Sequence, residues 1–127
     1  METKRIGIAV VLQNDQVLVG IRDKTQVLAG LHEFPGGKCE ADESPEACTI
    51  RECREETGLE VSIRRPLFQT LHDYPHGRVE LFFFECTPSD SSETPLLGNF
   101  QWVSRADLTE MTFPEANRPV VQLLSQA

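Results

Sequence analysis

Apolar residues in this chain follow two different periods. Arg5 to Leu12 (RIGIAVVL) is β-branched and apolar on both faces, which predicts a central strand. Asn14-Asp15 is a turn signal, and Gln16 to Arg22 (QVLVGIR) reads as a second strand; a hairpin is one of the pairings open to these two runs. Leu59 to Ile63 and Pro66 to His72 are shorter apolar segments, broken by Arg64-Arg65-Pro66. Tyr74-Pro75-His76-Gly77 marks a turn into Arg78 to Cys86 (RVELFFFEC), a strong strand whose Leu81, Phe82, Phe83 and Phe84 are expected to be buried against helices. Asn99 to Ser104 (NFQWVS) predicts a short edge strand, and Ser104 a cap for a helical turn over Arg105 to Leu108. Asp23 to Leu31 and Thr87 to Pro95 are polar and predict loops.

The helical period occurs between Ser44 and Gly58, and again in a short terminal helix, Val120 to Leu124. Ser44 is a good N-cap, Pro45 fits the first helical position, and Gly58 sits where a left-handed residue would stop the helix. At about 100° per residue, Ala47, Ile50, Cys53 and Thr57 share a face that reads as buried. Glu52, Glu55 and Glu56 share the opposite face at spacings i, i+3 and i+4, where like charges repel. Short strands mixed with two or three helices give an α/β fold in one domain, residues 1–127.

Composition adds little until charge is considered. The four cysteines, Cys39, Cys48, Cys53 and Cys86, show neither a CxxC pair nor zinc-type spacing, and read as thiols in a reducing compartment. No signal peptide or membrane span is evident, so a soluble, cytoplasmic protein is expected. The net charge is −8, and residues 40–60 hold eight acids against two bases. Such a surface repels a polyanionic duplex, which argues against stable nucleic-acid binding. A small phosphorylated ligand would be repelled too, unless cations bridge it to the carboxylates. Hard divalent ions take oxygen ligands, and Mg²⁺ combines one or two carboxylates with water and phosphate oxygens. Glu52, Glu55 and Glu56 are therefore candidate ligands for Mg²⁺, with Mn²⁺ as the alternative. A backbone carbonyl from Gly36 or Gly37 is a further candidate. Arg51, four residues before Glu55, is placed to hold that carboxylate. Solvated acidic helix faces are common, and the three glutamates alone would not carry this reading.

The spacing around them does carry it. Gly37, five residues, Glu43, seven residues, then Arg51-Glu52-x-x-Glu55-Glu56-x-Gly58-Leu59 resembles the Nudix box, GX5EX7REUXEEXGU with U aliphatic, over residues 37–59. Each fixed position matches, and Cys53 stands at the first aliphatic position. The resemblance to the Nudix hydrolases implies a mixed β-sheet sandwiched between α-helices, with the box forming a loop–helix–loop beside it.

Outside the box the chain is similar to the MutT group of that family, the 8-oxo-dGTP diphosphatases. The likeness rests on EFPGGK at Glu33 to Lys38, on Trp102, and on FPEANRPV at Phe113 to Val120. It implies that Asn117 reads the oxidised purine, that Phe34 helps form the base pocket, that Glu33, Phe34, Pro35 and Gly36 line the site, and that Arg22 contacts the nucleotide. Lys38 is expected to assist at the phosphates. Arg51, Glu52 and Glu55 are expected at the catalytic centre, and Gly36, Gly37, Glu52, Glu55 and Glu56 at the metal. The implied reaction is Mg²⁺-dependent hydrolysis of a nucleoside triphosphate to the monophosphate and pyrophosphate; the sequence does not fix the oligomeric state, and a monomer is the favoured expectation. MutT-like proteins often carry another glutamate before the tryptophan strand; here Leu96-Leu97-Gly98 stand there, which leaves Glu80, Glu85, Glu93 or a box glutamate as candidates for the base. Two rivals are a Nudix enzyme for pyrimidine or mixed triphosphates, and a non-catalytic Nudix-like domain that recognises oxidised guanine.

Overall fold

The computed structural model of the protein describes residues 3–22, 30–75, 77–89 and 95–126. Strand β1 (Lys4–Gln13) and strand β2 (Gln16–Ile21) form the hairpin. Asn14 and Asp15 both have positive φ, 51° and 64°, as a two-residue turn matched to strand twist requires. Beyond β2 lie β3 (His32–Glu33) and β4 (Gly36–Lys38), then helix α1 (Pro45–Thr57), β5 (Val61–Tyr74), β6 (Gly77–Pro88), β7 (Gln101–Ser104) and helix α2 (Arg118–Ser125). Among the described residues these strands make one mixed sheet in the order β3-β2-β1-β6-β5, with β4 also pairing β1 and β7 pairing β2. The β1–β6 pair is parallel and the others antiparallel.

The central strands are apolar on both faces because each face has its own core. Ile8 and Val10 of β1, Val17 and Val19 of β2, and Leu81 and Phe83 of β6 pack on one side with Val120, Val121 and Leu124 of α2. Their neighbours Ala9, Val11, Leu18, Phe84 and Cys86 pack on the other with Cys53 of α1. This period-two division produces the sheet between helices that the family resemblance implies. Among the described residues no helix is long and apolar enough to cross a membrane.

Two expectations need correction. The segments flanking Arg64-Arg65-Pro66 are one strand, β5, paired with β6 from Val61 to Tyr74. Register shifts between Ile63 and Arg65 and between Pro66 and Phe68 absorb the irregular residues, and a proline is tolerated because β5 is at the sheet edge. The second correction concerns the rotation of α1. Its ends are as expected: Ser44 Oγ accepts the Ala47 N–H at 3.1 Å, and Gly58 has φ 79°. The residues it buries are Cys48, Thr49, Cys53 and Thr57, while Ala47 is exposed and Ile50 half-buried. Cys48 and Thr49 lie over Gly7 of β1, where a Cβ would collide with both side chains. That close approach turns the helix so that Cys48, Glu52 and Glu56, one i, i+4 row, run beside β4. Glu52 and Glu56 therefore flank the sheet instead of facing away from it. Most of the expected loop Asp23 to Leu31, the loop centre after Ser89, His76 and Glu93 lie outside the described residues.

Candidate active site

Arg51 is the hub of the box. Its Nε donates to Glu43 Oε2 at 2.7 Å and its Nη2 to Glu43 Oε1 at 2.9 Å. Nη1 donates to both oxygens of Glu55, at 3.0 and 3.1 Å, and Nη2 also reaches the Lys38 carbonyl at 3.2 Å. A planar fork is the group that can hold two carboxylates and a carbonyl at once. Hydrogen bonding from Arg51, then from the Glu40 backbone, holds the Glu43 carboxyl at about 2. Arg5 braces the same loop from β1, donating to the carbonyls of Glu40 (3.1 Å) and Glu43 (2.9 Å). Nothing in the sequence marks Arg5 for this work, and Glu43 earns its place only as a fixed position of the box.

Glu52 and Glu56 stand against the glycine strand. Gly36 N–H donates to Glu56 Oε1 at 2.8 Å. Gly37 faces the carboxylate of Glu52 so closely that a Cβ there would overlap it. Burial pushes Glu56 up to about 7; the Gly36 N–H opposes that shift, and the charges of Glu33 and Glu52 add to it. Burial also raises Glu52, against the pull of Arg51. Two half-buried acids whose charged forms are penalised, on one helix row beside unblocked backbone, suit a hard divalent ion. The third expected ligand lies apart from this strand-facing row, since Glu55 is held by Arg51. Among the described residues no three acidic, histidine or cysteine side chains converge as a ready-made cation cage.

The shift of Glu56 has a consequence for stability. Its folded value of about 7 lies above the ordinary 4.5, so the fold favours the protonated acid. That preference contributes fully below about 4.5 and is lost as pH rises through about 7. The opposite contribution of Glu43 is present above 4.5 and lost as pH falls toward 2, outside that window. In EDTA, the melting temperature of the wild type relative to Glu56→Gln is expected to fall between about pH 5 and pH 7.5. Parallel curves for the two proteins would contradict the assignment.

Gly36 also opens on a cavity of about 480 Å³, lined by Ile6, Ile8, Arg22, Glu33, Phe34, Gly36, Tyr74, Pro75, Leu81, Pro114, Ala116 and Asn117. This is the size of a small-molecule site. Of the residues singled out from sequence, Arg22, Glu33, Phe34, Gly36 and Asn117 meet here, and Arg22 Nη1 donates to Glu33 Oε1 at 3.0 Å. Pro35 is buried outside the lining, its carbonyl accepting the Ala9 N–H at 2.8 Å. Lys38 is exposed, and Gly37 turns to α1. No local signal marks Tyr74, Pro75 and Leu81 as wall residues; Tyr74 and Pro75 arrive from the turn end of the β5–β6 hairpin and Leu81 from within β6, beside Ile6 of β1. Of the candidate bases, Glu80 accepts from Gln69 Nε2 (2.8 Å) and Glu85 pairs with Arg65 (3.0 Å), both away from the cavity lining.

Comparison with known proteins agrees with this geometry. The sequence model of the NUDIX domain family matches residues 7–123. The 8-oxo-dGTP diphosphatase of Escherichia coli (strain K12) is 31% identical over 132 residues, covering 97% of this chain and 98% of that protein. A CTP pyrophosphohydrolase of the same organism is 36% identical over 63 residues, 50% of this chain and 47% of that protein. A solved MutT structure, described for Aliivibrio salmonicida and Vibrio cholerae, superimposes with a TM-score of 0.76 at 28% identity, covering 100% of this chain and 99% of that one.

Proposed function

This chain belongs to the NUDIX domain family and is a Nudix hydrolase; from that premise we propose that it hydrolyses nucleoside triphosphates with a preference for 8-oxo-dGTP, releasing the monophosphate and pyrophosphate. Hydrolases of the family use divalent metal ions, and Mg²⁺ is the ion we propose here, with Mn²⁺ as a substitute. The observation that carries the reading is the double role of Gly36. Its N–H holds Glu56, and it lines the cavity that also contains Phe34 and Asn117. This adjacency supports a pose in which a base fills the cavity and its phosphates run toward the acidic row of α1.

The protein's own groups divide the work. Phe34 offers an apolar wall to the base. Asn117 offers an amide, whose NH₂ and C=O complement the O6 acceptor and the N7–H donor of 8-oxoguanine. Unmodified guanine sets an N7 lone pair against the amide oxygen, and sites built on such hydrogen bonds reject the wrong analogue strongly. Arg22, beside Glu33, is a cation at the mouth of the acidic row. Glu52 and Glu56, with a carbonyl of Gly36 or Gly37, would hold the cation, and Arg51 fixes Glu43 and Glu55 around them. Bound there, the ion would neutralise phosphate charge and make a nearby water more acidic. Hydrolysis at the β-phosphorus forms a bond from the water oxygen and breaks the bond to the bridging α-phosphate oxygen, so that the nucleoside monophosphate leaves, pyrophosphate keeps the water oxygen and a proton passes to solvent.

The test is release of pyrophosphate from 8-oxo-dGTP, dGTP and CTP, with and without Mg²⁺. Strong preference for 8-oxo-dGTP supports the reading, and equal turnover of 8-oxo-dGTP and dGTP contradicts it. CTP belongs in the panel because half of this chain resembles a CTP pyrophosphohydrolase. Asn117→Ala is expected to narrow the 8-oxo-dGTP to dGTP preference by about a hundredfold, with a far smaller change in dGTP turnover.

A further inference from the structure

Phe113 has no place in the lining of the 480 Å³ cavity, yet its ring lies against one that does. Phe34 and Phe113 are both buried, and their rings stack with centroids 4.9 Å apart and planes inclined by 24°. His32, one strand position before Glu33, leans on Phe113 from another side at 5.9 Å and 41°. The backbone repeats the link: His32 N–H donates to the Thr112 carbonyl at 2.8 Å. The segment carrying Phe34 and the segment carrying Asn117 are thus fastened at two adjacent points, Thr112 and Phe113.

Little slack separates Phe113 from Asn117. The Asn117 N–H donates to the Pro114 carbonyl at 2.9 Å, and Glu115–Asn117 form a 3-10 turn. Behind Phe113 is a second hollow of about 370 Å³, bounded by Leu108, Met111, Arg118 and Val121. On that side the 112–118 segment has open space at its back, so its distance from Phe34 depends on the ring of Phe113.

We propose that Phe113 is a positioning residue for base selection. Stacked on Phe34, it fixes the spacing and angle between the ring that supports the base and the amide of Asn117 that reads its edge. This rests on the oxidised-purine reading above. Phe113→Leu keeps an apolar side chain but removes the flat face, so Phe34 tilts and Asn117 drifts toward the hollow. The ring contacts of Phe113 are with Phe34 and His32, and the acidic row of α1 is held instead by Arg51 and the glycine strand, so chemistry at the phosphates is expected to be unaffected.

Steady-state kinetics with 8-oxo-dGTP and dGTP test this on the wild type, Phe113→Leu and Leu124→Ala. Leu124 belongs to the same buried cluster but not to the cavity lining, and it controls for lost stability alone. Phe113→Leu is expected to raise KM for 8-oxo-dGTP and narrow the preference by roughly tenfold, with kcat within about twofold of wild type. Leu124→Ala is expected to melt earlier and keep the preference. Should Phe113→Leu fail to fold, Phe113→Met carries the same comparison. Unchanged KM and preference in the Phe113 variant, or equal narrowing in Leu124→Ala, overturns the proposal. A wild type that does not prefer 8-oxo-dGTP over dGTP overturns the oxidised-purine reading and this proposal together. A wild-type preference left intact by the Phe113 variant overturns this proposal alone.

Discussion

Glu56→Gln is expected to lower triphosphate turnover by about 10³-fold while making the cation-free protein more stable at pH 8. The two effects have one cause. Burial raises the Glu56 carboxyl to about 7, so at pH 8 the folded protein carries a charge that its surroundings disfavour. Glutamine has the shape of the protonated acid, and its Oε1 can still accept the Gly36 N–H. The variant therefore keeps the contact, loses the penalised charge and loses the carboxylate proposed to hold the cation. A residue kept for structure alone would give the opposite sign of stability change. Thermal denaturation in EDTA and pyrophosphate release in Mg²⁺, both at pH 8, read the two effects. Retained turnover ends the case for Glu56 as a ligand, and a lower melting temperature removes the argument that its charge is strained in the fold. Added Mg²⁺ is expected to raise the melting temperature of the wild type by more than that of the variant, because binding to the folded state alone stabilises it.

Elements whose geometry is local were legible in the sequence. Ser44, Pro45 and Gly58 gave both ends of α1, and Asn14-Asp15 gave the hairpin turn, because caps and tight turns depend on a few neighbouring residues. Arg51 with Glu55 was legible for the same reason, as an i, i+4 pair. The rotation of α1 was not, because it depends on Gly7, a β1 residue distant in sequence whose missing side chain lets Cys48 and Thr49 descend onto the sheet. Periodicity alone reported a glutamate face pointing away; packing turned two of the three glutamates toward β4. A proline and two arginines interrupt the pattern of β5, and only its edge position and bulges make one strand of it. The cavity wall from Tyr74 and Pro75 is another long-range product, since it needs the β5–β6 hairpin to pair beside β1 and bring its turn end to the cavity. The box spacing made the Arg51 contacts with Glu43 and Glu55 legible, because it fixes those residues relative to one helix.

Gly37→Ala is expected to cost about a hundredfold in kcat/KM and almost nothing in folding. Gly37 is absent from the residues with positive φ, so alanine fits its backbone; what it lacks is space. An added Cβ would overlap the Cδ and both oxygens of Glu52. These are the far end of a flexible side chain, so the carboxylate swings away and the strand stays where it is. Gly36→Ala is different in kind. Its Cβ would meet the Gly7 carbonyl and the Ile8 backbone, parts of the central strand that cannot yield without moving the sheet. Adjacent glycines in one strand are thus expected to separate function from folding: Gly37→Ala stable and slow, Gly36→Ala poorly folded. A cycle with Glu52→Gln adds the decisive comparison. If Gly37 acts by leaving room for Glu52, the double variant is expected to be no slower than the slower single one, because the same interaction is removed twice. Additive losses would mean that Gly37 serves the reaction by another route, and an unfolded Gly37→Ala would mean that the Glu52 side chain cannot give way there.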